Sequence, residues 1–408
     1  MRAQARRLFA AAVTAADPAL AVRRHFQRRP DTHATILIAV GKAAPAMLAE
    51  AMAHIPAPKT ALAVTHEGNG TDIPGARVLT ASHPVPNDAG LQAGREILAA
   101  LDAAGPDDRV LALISGGGSA LIPAPRAPLT LADKQEVNRL LLASGLDITA
   151  MNLIRQQLSD LKGGGFLRHA APARVTGLVL SDVIGNELGA VASGPTSAPL
   201  GTLAEARKIL QDQGLWDRLP DSVRRLLDAP DSPAPLPDPD NHLIGSNEQS
   251  LVAMRDAVAP GWAARIVSDR MVGDVAEAAA QIARAAREAP PDRPTALIFG
   301  GETTVTLRGS GKGGRNQELA LRVAQEMRGW SGDWVFLSGG TDGRDGPTDA
   351  AGGIVDGGTL ARIAASGHEM QALLANNDSN AALAAAGDLL ETGATGTNVA
   401  DVQVMLLN

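Results

Sequence analysis

The chain has 408 residues, 45% of them hydrophobic, and carries 37 basic against 44 acidic side chains for a formal charge of −7. That length exceeds what one core usually organises, so two domains are expected, and the interspersed charges offer no basic face for a nucleic-acid partner. Cysteine is absent, which excludes disulfides, thiolate metal sites and a cysteine nucleophile.

Aromatic side chains make up 2% of the chain and tyrosine is absent, so the core has to be built from Ala, Val, Leu and Ile, and stacking platforms for bases are scarce. Residues 1–29 are basic and helix-patterned, but Asp17, Pro18, Arg23 and Arg24 break the apolar run, unlike a secretory signal. No stretch approaches the ~20 apolar residues that span a bilayer, and a cytoplasmic location with no membrane partner is expected. Short apolar runs then alternate with helical periodicity, as the βαβ units of a parallel sheet require. Strands are expected at 35–40, 61–65, 109–114 and 175–180, with helices at 43–54, 89–103 and 131–143. The proline- and aspartate-rich segment 229–240 reads as an exposed connector. Beyond it, strands are expected at 243–245, 264–267, 296–299, 303–308, 334–337 and 399–407, and helices at 248–258, 274–288 and 316–327. The expected fold class is α/β, with one domain at 1–235 and a second at 236–408.

The 43 glycines cluster where these strands are expected to end. Ligands of open α/β sheets bind there, because glycine lets backbone N–H groups approach an oxyanion closely. Four such ends stand out: Gly41-Lys42, Ser115-Gly116-Gly117-Gly118-Ser119, Gly300-Gly301-Glu302-Thr303 and Ser338-Gly339-Gly340-Thr341-Asp342-Gly343. One of them alone is an ordinary tight turn; four together point to a ligand. Lys42 and Arg315 each open a helix whose N-terminus already carries partial positive charge. Arg315 does so directly after Gly309, Gly311, Gly313 and Gly314, and a bound anion accounts for both cations.

Neither Lys42 nor Lys312 has the glycine six residues earlier that a P-loop demands. The run 309–314 fits G-x-G-x-x-G, yet the strand expected after it ends in Ser338 rather than in a ribose-binding acid. Asp182, Glu302, Asp342 and Asp345 stand at strand ends, as residues able to hold Mg²⁺, to accept a hydroxyl proton, or to cap a turn; for Asp345 the turn cap is favoured. His83 lies in a proline-rich loop, and the eight histidines form no metal-binding pattern. There is no G-x-S-x-G nucleophile elbow.

Together these segments resemble the glycerate 2-kinases whose C-terminal half is called the MOFRL domain. The resemblance is carried by Val40-Gly-Lys-Ala-Ala-Pro45, Ser82-His-Pro-Val-Pro86, Ser115-Gly-Gly-Gly-Ser-Ala-Leu121, Leu180-Ser-Asp-Val-Ile-Gly185 and Ala192-Ser-Gly-Pro-Thr196. In the second half it rests on Gly300-Gly-Glu-Thr-Thr304, Gly311-Lys-Gly-Gly-Arg-Asn-Gln-Glu318, the segment Ser338 to Gly346, and Thr395-Gly-Thr-Asn398. It spans nearly the whole chain. It departs after Pro86, where Asn87-Asp88 replaces an acid directly after the proline, and after Asp378-Ser379, where aromatics are missing.

The resemblance implies a large Rossmann-like parallel-sheet N-terminal domain and a smaller α/β C-terminal domain with the MOFRL region at about 294–402, the active site lying in the cleft between them. It implies transfer of the γ-phosphoryl group of ATP, with Mg²⁺, to the 2-hydroxyl of D-glycerate, and dependence on Lys42 and Arg315. Within that expectation Ser115 to Ser119 and Gly339, Gly340, Thr341 and Asp342 cradle phosphates. Asp182 is metal ligand or hydroxyl-orienting base, and Asp342 is a second metal ligand. A homodimer is left open. Two rival readings are an NAD(P)-dependent hydroxypyruvate or tartronate reductase, which the G-x-G-x-x-G match suits, and a two-domain sensor of a sugar acid.

Overall fold

The computed structural model describes residues 1–30, 33–230, 235–290 and 293–408. Contacts divide the chain into two compact units, one formed by 21–181 with 186–244, the other by 1–20, 182–185 and 245–408. The division thus falls after residue 244 rather than 235, and the chain's start joins its second half. The expected connector lies partly on 231–234, outside the described residues.

The unit of 21–181 and 186–244 is built on six strands: β1 (Ile36–Val40), β2 (Thr60–His66), β3 (Arg77–Ala81), β4 (Arg109–Ser115), β5 (Arg174–Leu180) and β6 (Asp240–Gly245). Their order is β3-β2-β1-β4-β5-β6, and β1 to β5 are parallel. Every residue of β1 is buried, as is all of β4 after Arg109. Such continuous apolar runs belong to strands covered on both faces. The chain runs from β1 outward to β2 and β3, then returns to place β4 on the other side of β1. Connections therefore leave the carboxyl ends of β1 and β4 in opposite directions and open a crevice between them.

The second sheet has the order β11-β10-β9-β12-β8-β7, from β7 (Ala263–Asp274), β8 (Thr295–Thr304), β9 (Trp334–Gly340), β10 (Gly352–Asp356), β11 (Leu389–Leu390) and β12 (Asp401–Leu407). Among the described residues of this sheet only β7 and β8 pair in parallel; β12 lies antiparallel between β8 and β9. Side chains alternate between faces, the period of a strand. Ala296, Ile298, Val335, Leu337, Val402 and Val404 join one core, while Leu297, Phe299, Phe336 and Met405 join the other.

That first core explains why residues 1–20 belong here. The helix Arg2–Ala15 buries Ala5, Leu8, Phe9 and Ala12, spaced three and four apart on one stripe. The stripe packs with Leu251, Met254, Val335 and Leu337. Arg2 adds hydrogen bonds to the Ile354 carbonyl at 2.9 Å and the buried Asp388 carboxylate at 2.8 Å.

Candidate active site

Of the four glycine-rich segments, two are consumed by packing. Gly300 and Gly301 lie inside β8, which runs unbroken through Thr304 where two strands were expected. A Cβ on Gly301 would stand 2.1 Å from the Met271 carbonyl oxygen, and its φ is +148°; the glycine serves the close approach of β7. Gly339 and Gly340 lie inside β9, and a Cβ on Gly339 would stand 2.7 Å from the Phe9 ring. The N–H groups of Gly340, Thr341 and Gly343 donate to the carbonyls of Ala351, Ala400 and Gly340. Asp342 accepts the Arg344 N–H at 3.0 Å, an Asx turn.

The G-x-G-x-x-G run is also held internally through Lys312. Arg308 and Gly309 N–H donate to Asn377 Oδ1 at 2.6 and 3.0 Å, Ser310 N–H to Asn376 Oδ1 at 3.1 Å and Lys312 N–H to Asp378 Oδ1 at 3.2 Å. The helix Arg315–Glu326 that follows already has its anion: buried Asp345 accepts the N–H of Asn316 at 3.1 Å and of Gln317 at 2.9 Å. Burial pushes the Asp345 carboxyl up, and these N–H groups pull it back.

Arg315 has internal carboxylates as well. Asp401, 1% exposed, takes Nε at 2.6 Å and Nη2 at 3.1 Å, and the half-exposed Glu302 takes Nη1 at 2.8 Å. Desolvation and the neighbouring Asp401 and Asp342 hold the Glu302 carboxyl above its ordinary range, while Arg315 draws it down. The helix-end cation that suggested an external anion is thus explained by Asp345, Asp401 and Glu302. No sequence signal marked Asp401, which arrives from the last strand.

The two remaining glycine ends meet at the crevice between β1 and β4. Gly41 has φ +121°, and a Cβ there would stand 2.2 Å from Ser115 Oγ. Ser115 Oγ donates to the Val40 carbonyl at 3.3 Å and accepts the Ala43 N–H at 3.1 Å. Lys42 N–H donates to the Gly116 carbonyl at 2.9 Å, and Asn69 Nδ2 holds the Lys42 carbonyl at 2.7 Å. The Lys42 side chain passes Gly117, whose added Cβ would meet it at 3.1 Å and the His83 ring at 3.4 Å. Partial burial and Lys42 keep His83 below its ordinary pKa, so the ring is neutral near pH 7. Among the described residues the structure gives no protein acceptor for the N–H groups of Gly117, Gly118 and Ser119.

From this loop a polar chain leads inward. Lys162 Nζ donates to Ser119 Oγ at 2.7 Å, Ser119 Oγ meets Ser193 Oγ at 3.0 Å, and Ser193 donates to Asn152 Oδ1 at 3.1 Å. Lys162 precedes Gly163-Gly164-Gly165, a run that in the sequence marks only a turn. Asn87 has a plain local function: its Oδ1 accepts the Gly90 N–H at 3.1 Å and caps the helix Asp88–Asp102. Asp182 follows β5 and is half-buried, within the other unit from Lys42.

Two family models match the chain, a domain of unknown function (DUF4147) over residues 4–228 and the MOFRL family over 295–401. A D-glycerate 2-kinase of Thermotoga maritima is 41% identical over 382 residues, 91% of this chain and 90% of that protein. A chain of Agrobacterium vitis that carries the provisional name hydroxypyruvate reductase is 40% identical over 98% of this chain and 93% of its own length. A glycerate kinase crystal structure from Thermotoga maritima superposes with a TM-score of 0.92 at 37% identity, covering 99% of each chain. Among the described residues, no helix is long and apolar enough to cross a membrane.

Proposed function

The chain belongs to the DUF4147 and MOFRL family that includes the glycerate kinases, and on that premise we propose that it transfers the γ-phosphoryl group of ATP to the 2-hydroxyl of D-glycerate, giving 2-phosphoglycerate. The observation that carries this reading is Lys42 packed against Gly117, next to the N–H groups of Gly117, Gly118 and Ser119, where the connections after β1 and β4 part. Phosphoryl transfer is mostly positioning and electrostatics, and this end of the sheet supplies both.

In the proposed reaction Lys42 offsets charge on the moving phosphoryl group, and the N–H groups of the 115–119 loop hold phosphate oxygens. Asp401 fixes the Arg315 guanidinium by two hydrogen bonds, so that Arg315 exchanges Glu302 for a substrate oxyanion without losing its orientation. Asp182 orients the acceptor hydroxyl or takes its proton. The segment Gly339 to Asp342 keeps a smaller part than expected, the Asp342 carboxylate.

Mg²⁺ is commonly held by one or two carboxylates plus phosphate oxygens, a donor set that aspartates of this chain and ATP would supply. Asp182 and Asp342 would hold it, and when bound it neutralises phosphate charge. The direct comparison of reaction classes is ADP release from ATP, Mg²⁺ and D-glycerate against NADH loss with hydroxypyruvate. Glycerate-dependent ADP release supports the kinase reading. NADH oxidation without it sinks that reading and favours the reductase.

A further inference from the structure

Below the His83 loop lies a cleft of about 220 Å³ whose polar lining includes Lys134, Asn138, Arg155 and Lys162, with Gly117 and Ser119 at its border. Lys162 is 4% exposed and Lys134 9%. Lys134 Nζ donates to the Leu158 carbonyl at 3.0 Å, and Arg155 gives Nε and Nη2 to Asn138 Oδ1 at 3.1 and 2.6 Å. Lys162 donates to Ser119 Oγ. Among the described residues, every acceptor these three cations have is neutral.

Buried charges are normally paired, because an unpaired one forfeits its hydration. Desolvation, then the charges of Lys134 and Arg155, push Lys162 well below the ordinary lysine range; desolvation and Arg155, opposed by Asp160, bring Lys134 down to about 7. The acid that offsets Lys134, Asp160, is shared with His169, Arg126 and Arg168. A fold that gathers two buried lysines and an arginine around a cavity with no carboxylate in its lining leaves to a ligand the counter-charge that would hold the lysines protonated.

We propose that this cleft is an oxyanion subsite that takes the carboxylate of the acceptor acid, with Lys134, Arg155 and Lys162 as its charge partners. The assignment rests on the kinase reading. Pro86, Pro123 and Val137 line the cleft too; such apolar walls suit a short carbon skeleton, whereas a triphosphate would leave oxygens without donors. Gly117 borders both the cleft and Lys42, so an acid anchored here by its carboxylate keeps its hydroxyl carbons close to Lys42.

Lys162→Met tests this, since it keeps the side chain's length, removes the charge and relieves desolvation. D-glycerate is titrated calorimetrically into the full chain without nucleotide, and KM is then measured for glycerate and for ATP. The expected result is a glycerate Kd and KM at least about tenfold higher, with the KM for ATP within twofold. A glycerate Kd within twofold of wild type overturns the proposal. A raised KM for ATP with unchanged glycerate binding also overturns it, and makes a phosphate the ligand. Wild-type chain that binds glycerate through Lys162 but releases no ADP leaves the subsite standing and removes the kinase reading. Should Lys162→Met fail to fold, Arg155→Gln carries the same expectations.

Discussion

Asp401 accepts two hydrogen bonds from the Arg315 guanidinium, at 2.6 and 3.1 Å, from a carboxylate that is 1% exposed. The acid belongs to β12 and the arginine to the helix after the G-x-G-x-x-G run, so the contact ties together segments 86 residues apart. Asp401→Asn is expected to leave the guanidinium loosely held by Glu302 alone. It should lower kcat/KM by about tenfold or more and cost about 1.5–3 kcal/mol of stability. Urea titration and steady-state kinetics on one preparation measure both; an unchanged kcat/KM would show that the orientation of Arg315 is immaterial.

Asp345 caps the helix Arg315–Glu326 through the N–H groups of Asn316 and Gln317 and also accepts Gln317 Nε2 at 3.0 Å. Asp345→Ala removes a carboxylate that accepts four hydrogen bonds, from the N–H groups and side-chain amides of Asn316 and Gln317. The expected loss is about 2–4 kcal/mol, read as a lower midpoint in thermal unfolding. A loss under about 0.5 kcal/mol would mean that water or a neighbour replaces the carboxylate.

Lys134 yields a dependence of stability on pH whose sign is fixed. Its pKa is about 7 in the folded chain, from burial and from Arg155, with Asp160 acting in the opposite direction, against an ordinary 10.5. Between those values the unfolded chain binds the additional proton, so stability rises with pH across pH 7 to 10.5, by at most about 1.4 kcal/mol per unit for this group. Below pH 7 the full burial penalty remains. Melting temperatures from pH 7 to 9.5 should therefore climb in wild type relative to Lys134→Met. Parallel curves for the two proteins would contradict this origin.

Gly117 has φ +84°, and an added Cβ would press on Lys42 at 3.1 Å and on His83 at 3.4 Å. Gly117→Ala is expected to cost about 1 kcal/mol or more in backbone strain and to displace the Lys42 side chain. Lys42→Ala should lower kcat/KM by at least about a hundredfold. If Lys42→Ala stays within a few-fold of wild type, Lys42 is not part of the transfer site.

The parallel half of the fold was legible in the sequence because its strands are continuous apolar runs and its helices are periodic. The expected strand at 109–114 and helix at 131–143 match Arg109–Ser115 and Leu131–Leu142 to within a residue. β3 carried too few apolar residues to be drawn: Arg77 and Thr80 are exposed at the sheet's edge. Glycine clusters were the weaker guide, since a glycine that admits a ligand looks the same as one that admits Met271 or Phe9. Partners distant in the chain, Asp401 for Arg315 and Asn376 to Asp378 for the 308–312 backbone, left no local trace. Lys134, Arg155 and Lys162 are ordinary charged positions in the sequence; the fold buries the two lysines and half-buries Arg155 around one cleft.

The central claim is phosphoryl transfer to the 2-hydroxyl of glycerate, and the product's regiochemistry tests it most directly. The full chain is supplied with ATP, Mg²⁺ and D-glycerate and coupled to enolase and pyruvate kinase without phosphoglycerate mutase. Enolase accepts the 2-phosphate alone, so the account predicts immediate pyruvate formation. A signal that appears only after mutase is added would place the phosphate on the 3-hydroxyl, and no signal even then would contradict the kinase assignment altogether.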